Sequence, residues 1–125
     1  MFVAIIGSRD FTNYEYLKYK CDQILNQSKG ITIISGGARG TDRMAERYAT
    51  EKNLPIVIMK ADWIQNGKSA GMIRNRLMLK VATHVIAFWD YQSPGTKHMI
   101  ESAKRLKKQT RIISTKIKQA CQLPS

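Results

Sequence analysis

Apolar and polar positions fall into two alternating kinds of block along the chain. Phe2–Ile6, Ile31–Ser35, Pro55–Met59, His84–Trp89 and Arg111–Ser114 are short runs rich in β-branched and aromatic residues. They carry almost no interior polar face, the pattern of strands buried on both sides. Between them, apolar residues recur at helical spacing: Tyr14, Leu17, Cys21, Ile24 and Leu25; then Met44 with Tyr48 and Ala45 with Ala49; then Ile73, Leu77, Met78 and Val81. The spacing predicts a helix from about Tyr14 to a terminating Gly30, and further helices over about 41–52, 69–81 and 95–108. Residues 60–68 form a longer connection. Pro55 opens its strand, where no ladder donor is lost. The segment 115–125 is expected to be a flexible tail, loosely held from Ile117 onward. Strands of this type separated by helices mean a parallel sheet covered on both faces. The expected fold is α/β: a single Rossmann-like three-layer sandwich with a parallel five-stranded sheet and helices on both faces. No repeat, linker or low-complexity stretch divides residues 1–125, so one domain is expected.

Composition fits that picture and adds one unusual number. The chain has 125 residues, 43% hydrophobic and 24% charged, an ordinary globular balance. Its 21 Lys+Arg against 9 Asp+Glu give a formal charge of +12. An excess of that size points to an anionic partner without choosing among nucleotide, nucleic acid and acidic membrane. The apolar runs are far short of the ~20 residues that cross a bilayer, so no membrane partner is expected. The apolar start from Met1 lacks a charged leader region and reads as a first strand. Cys21 and Cys121 stand at opposite ends of the chain and make neither a disulfide framework nor a metal knuckle, so no metal site is expected. Cytoplasmic localisation is the expectation that follows.

In open parallel sheets ligands bind beyond the carboxyl ends of the strands. The residues that follow the strands here are Gly7-Ser8-Arg9, then Gly36-Gly37 and Arg39-Gly40-Thr41-Asp42, then Trp63 and Arg74-Asn75, then Tyr91, Ser93 and Gly95-Thr96. Of the 8 glycines only Gly30 lies at the opposite edge. Glycines let backbone amides approach a phosphate, and the amides and dipole of a helix N-terminus favour its charge. Arg9, Arg39 and Arg74 are candidates to clamp the anion bidentately. Trp63, Trp89 and Tyr91 are candidates to stack on a base. Each has a plainer reading: Thr41 and Thr96 as N-caps, Trp89 as core, Cys21 as core, Asp42 as a charge suited to a helix start. His84 and His98 read as structural or solvated.

The ordered set Gly36-Gly37-Ala38-Arg39-Gly40-Thr41-Asp42, Trp63, Gly67-Lys68-Ser69-Ala70-Gly71-Met72-Ile73-Arg74-Asn75, Ile86–Asp90 and Ser93-Pro94-Gly95-Thr96 resembles the SLOG superfamily, and most closely its small YspA and cpYpsA-related branch. The likeness covers about residues 1–114. It implies a sheet of order 3-2-1-4-5, a pocket for a nucleotide or nucleotide-derived ligand of the NAD or ADP-ribose kind, cyclic forms included, and homo-oligomers. SLOG domains in bacterial conflict systems sense such signals, so ligand sensing or sequestration is the implied role. No cofactor beyond that ligand is implied.

The LOG phosphoribohydrolases of the same superfamily imply a comparison with catalysis. Arg74 matches their catalytic Arg, and Gly95-Thr96 match their Gly-Thr. Asn75 stands at their Lys, and Met99 stands where their catalytic Glu belongs. A thioether neither accepts a proton nor stabilises an oxocarbenium ion. The implied phosphate cradle is retained while LOG chemistry is lost, so binding without turnover is the expectation, with no catalytic residue assigned. A nucleotide N-glycosidase using another carboxylate is the alternative. A second alternative is DprA-like nucleic-acid binding through the basic C-terminal face. From Lys97 to Lys118 there are eight basic residues and one acidic, a net +7.

Overall fold

Five strands, β1 (Phe2–Gly7), β2 (Thr32–Ser35), β3 (Ile56–Ile58), β4 (His84–Trp89) and β5 (Gln109–Ser114), pair in the order β3-β2-β1-β4-β5. Every pairing is parallel. The computed structural model describes residues 1–116; the expected loose tail from 117 onward lies outside the described residues. Central β1 is buried from Val3 to Ile6, as a strand covered on both faces must be. Its side chains divide by parity. Val3 and Ile5 join Ile33, Ile86 and Phe88 under helices α1 (Tyr14–Leu25) and α2 (Thr41–Glu51). Ala4 and Ile6 join Ile34, Val85 and Ala87 under α4 (Ala70–Val81) and α5 (Pro94–Arg105). The expected three-layer sandwich and its strand order are both observed.

Most element boundaries fall within a residue or two of those predicted. Three differences have physical causes. The first helix stops at Leu25, well before Gly30, which instead takes φ +66° in the turn leading to β2. The connection after β3 is not plain loop: it holds a short helix α3 (Trp63–Asn66), capped by the Asp62 side chain accepting from the Gln65 amide, and a 3₁₀ turn at Gly67–Ser69. The last helix ends at Arg105, and Lys107 turns the chain at φ +59°, so β5 begins at Gln109, two residues before the predicted Arg111.

The two cores hold the sheet rigidly, each fully buried Leu, Ile or Phe contributing roughly 1.5–3 kcal/mol. That rigidity aligns the carboxyl ends of β1, β2 and β4, where the loops into α2 and α5 begin.

Candidate functional site

Two glycine loops lock together at this edge. A Cβ on Gly7 would stand 2.6 Å from both the Phe88 carbonyl and Thr41 Oγ1, so only glycine lets β4 and α2 come so near the end of β1. Thr41 is fully buried, and its hydroxyl donates to the Ser8 carbonyl at 2.8 Å. Gly40, at φ +72°, has the Arg9 carbonyl where its Cβ would be. Gly40 and Thr41 therefore shape the corner without lining the cleft beside it.

The loop after β2 satisfies two of its own amides. Gly37 N donates to Ser35 Oγ at 3.1 Å, and Ala38 N donates to Asp42 Oδ2 at 3.1 Å. The Asp42 carboxylate occupies the place where sequence reasoning put a phosphate, because the second residue of α2 carries an anion the right length to reach back into the loop. Burial pushes this carboxyl above the usual carboxylate range, opposed by the Ala38 amide, the Arg74 charge and the Gly36 amide. Gly37 faces Lys60 and Ile58 rather than the cleft. Gly36 is buried behind Arg74: a Cβ there would lie 2.5 Å from the guanidinium Nη1.

Arg74 is the best-held cation of the site. Its Nη1 donates to the Gly36 carbonyl, and its Nε donates to Asn75 Oδ1 at 2.8 Å. Burial lowers its affinity for its proton, the Asp42 charge restores part of it, and the nearby Arg9 lowers it further. Two guanidinium groups thus approach one space.

Across that space lies the start of α5. Ser93 sits at its N-cap but makes no side-chain cap; its hydroxyl donates instead to Asp90 Oδ2 at 3.1 Å. The other Asp90 oxygen accepts the Gln92 and Ser93 amides at 2.8 and 2.7 Å, and these bonds lower the carboxyl's pKa. Pro94 opens the helix and carries no N–H, a Cβ on Gly95 would meet nothing within 4 Å, and with Lys97 N donating to the Ser93 carbonyl at 3.1 Å the Gly95 and Thr96 amides are left without a helical acceptor.

These parts border one cleft of about 590 Å³. Gly7, Ser8, Arg9, Arg39, Asp42, Arg74, Asn75, Ser93, Gly95 and Thr96 line it, and Ile6, Met78 and Met99 supply apolar wall. Ala38, Lys68, Gly71, Met72 and Pro94 also line it; none is a candidate from the sequence, where their only signal is their place in loops beyond the strands. Asp10 lines it too, exposed and 3.8 Å from Arg39. The aromatic candidates separate. Trp89 and Tyr91 pack on each other at 4.5 Å between ring centroids, and Trp89 Nε1 donates to the Ser93 carbonyl, so they support the turn and do not line the cleft. Trp63, half exposed, comes within 3.6 Å of where a Gly71 Cβ would be and stands at the rim. Cys21 is core, as expected, its thiol pushed up to about 12 by burial. Among the described residues no cluster of three or more His, Cys, Asp or Glu is arranged to hold a metal, and no helix is long and apolar enough to cross a membrane.

A doubly wound parallel sheet with a polar cleft at its carboxyl edge defines a Rossmann-like α/β domain. Residues 1–65 match the YAcAr family, described as the YspA, cpYpsA-related SLOG family. The chain is also 33% identical over 90 residues to the Gene 61 protein of Mycobacterium phage D29, covering 67% of this chain and 72% of that one. The chain belongs to the YspA, cpYpsA-related SLOG family. Its fold is shared with DNA processing protein A of Helicobacter pylori, which binds single-stranded DNA (TM-score 0.71, 24% identity, 94% of this chain), and with DNA processing protein A of Streptococcus pneumoniae (TM-score 0.76, 18% identity, 96% of this chain). This chain spans only 66% and 52% of those two chains.

Proposed function

We propose that the cleft binds a nucleotide or nucleotide-derived ligand of the ADP-ribose kind, its phosphate held between Arg74, Arg9 and the open first turn of α5. The observation that carries this reading is Arg74. A guanidinium fixed by the Gly36 carbonyl and Asn75, with a second arginine near it, is held ready for an anion at little further entropic cost. The cleft's volume of about 590 Å³ suits a ligand of nucleotide size. Met99 lines the wall where LOG enzymes carry their glutamate, which supports binding without LOG-type turnover. The role that fits is sensing or sequestration of the ligand.

A thermal-shift panel of nucleotides and ADP-ribose derivatives tests the reading. A ligand at ~100 times its Kd should stabilise the chain by about 2.7 kcal/mol, and Arg74→Ala should abolish the shift. A flat response across the panel would refute it. Mass spectrometry of the incubated ligand then distinguishes binding from hydrolysis: recovery of intact ligand supports binding, and a released base supports the N-glycosidase alternative.

A second reading rests on a separate observation. Lys97, Lys104, Arg105 and Lys107 are exposed on or just after α5, with Arg111 exposed on the edge strand β5. The fold is also that of a protein that binds single-stranded DNA. Such a face would bind oligonucleotides with affinity falling steeply as salt rises.

A further inference from the structure

Asp42 is an anomaly in a cleft that otherwise collects cations. Arg9, Arg39, Lys68 and Arg74 all line it, and of its two acids Asp10 is exposed and pairs with Arg39. Asp42 is anchored differently. It leaves α2 at the helix's second position, its Oδ2 accepts the Ala38 amide at 3.1 Å, and its charge acts on Arg74. An anion placed against Arg74 meets this carboxylate as a neighbour of like charge.

A carboxylate has about four acceptor sites. The Ala38 and Gly36 amides act on it from the loop side. The remaining acceptor capacity belongs to a group that lines the cleft. Among the described residues no donor reaches its other oxygen, which is open to the cleft and not buried; a ligand seated there cuts it off from water and must supply a donor in water's place. A ligand satisfies Arg74 and Asp42 together when it carries an anion and, a few bonds away, a hydroxyl.

We infer that Asp42 reads a ribose hydroxyl, so that the cleft selects ribonucleotides over counterparts that lack the 2′- or the 3′-hydroxyl. This rests on the nucleotide reading proposed above and narrows it to a substrate class. The phosphate takes Arg74, Arg9 and the α5 amides; the sugar donates to Asp42; the base is left toward the rim at Gly71 and Trp63. A site built to accept a hydrogen bond from a substrate hydroxyl rejects the analogue lacking it, because the acceptor is then stranded out of water.

The test is titration calorimetry on the unaltered chain. The probes are adenosine and guanosine 5′-mono- and diphosphates, each beside its 2′-deoxy and 3′-deoxy forms. The ribonucleotides should bind at least about tenfold tighter than one of the deoxy forms. In Asp42→Asn the difference should shrink to about twofold, with melting curves showing that the variant folds. Equal affinities for ribo and both deoxy forms would overturn the inference and leave nucleotide binding standing. A full preference surviving in Asp42→Asn would also overturn it, and would reduce Asp42 to a structural cap of its loop. Absence of binding by every probe, together with a flat thermal-shift panel, would overturn the nucleotide reading itself.

Discussion

Among single residues, Gly36 and Gly40 illustrate how one motif contains glycines of different kinds. At Gly36 an added Cβ meets the end of the Arg74 side chain at 2.5 Å and Asp42 Oδ2 at 2.8 Å. Side chains can retreat, so Gly36→Ala should fold with a melting point within a few degrees of the parent while weakening ligand binding at least about tenfold, as read by calorimetry. At Gly40 the obstruction is the Arg9 backbone, and φ is +72°. Gly40→Ala should therefore cost roughly 1–3 kcal/mol in a urea titration. Both are glycines in the same sequence motif, and nothing in the sequence distinguishes them, because the obstruction at each comes from a residue on another loop or helix. Asp42 carries a further prediction. Its folded-state pKa is raised, so ionisation at neutral pH opposes folding, and the opposition fades as pH falls through that raised value toward about 3.9. Asp42→Asn should melt no lower than the parent at pH 7, with any advantage disappearing by about pH 4 in a series of melts.

At the level of elements, strands were the most legible part of the sequence. The β-branched runs around Ile5, Ile33 and Ile86 have no exposed face, so both their type and their burial follow from composition alone. Helix ends were less legible. Gly30 looks like a helix terminator, but its left-handed conformation serves the turn leading to β2 instead. The short helix α3 was not predicted, since four residues carry no usable periodicity and only Asp62 signals its start. Within the site, the meeting of Arg9 and Arg74 at one cleft and the bonds that Ser35 and Asp42 make to the Gly37 and Ala38 amides depend on side-chain reach, which spacing does not encode. The start of α5 was legible, through Pro94-Gly95-Thr96, and it holds a conflict between stability and binding. Gly95 lies in the first turn with open space around its missing Cβ. Gly95→Ala should stabilise the helix by about 0.5–1 kcal/mol and weaken phosphate binding, because the methyl group intrudes on the cleft that Gly95 lines. A urea titration on this variant should show the first effect and calorimetry the second.

For the whole molecule, two concentrations of positive charge stand out within the total of +12. One part surrounds the cleft; the other lies along α5 and β5. The triple variant Lys104→Glu, Arg105→Glu, Lys107→Glu alters only the second. It should leave mononucleotide affinity within about threefold and, if the outer face binds oligonucleotides, flatten the salt dependence measured by fluorescence anisotropy. The cleft is built from parts distant in sequence. Ser8, Arg9 and Asp42 precede residue 65, the limit of the family match, while Arg74, Gly95 and Thr96 follow it. Central β1 is likewise paired to β2 from the first half and β4 from the second. A molecule seated in the cleft therefore acts as a staple across the seam between the two halves of the chain. Neither half can be cut away and keep half the affinity, and an occupied cleft should protect distant peptide bonds on both sides of the seam from proteases.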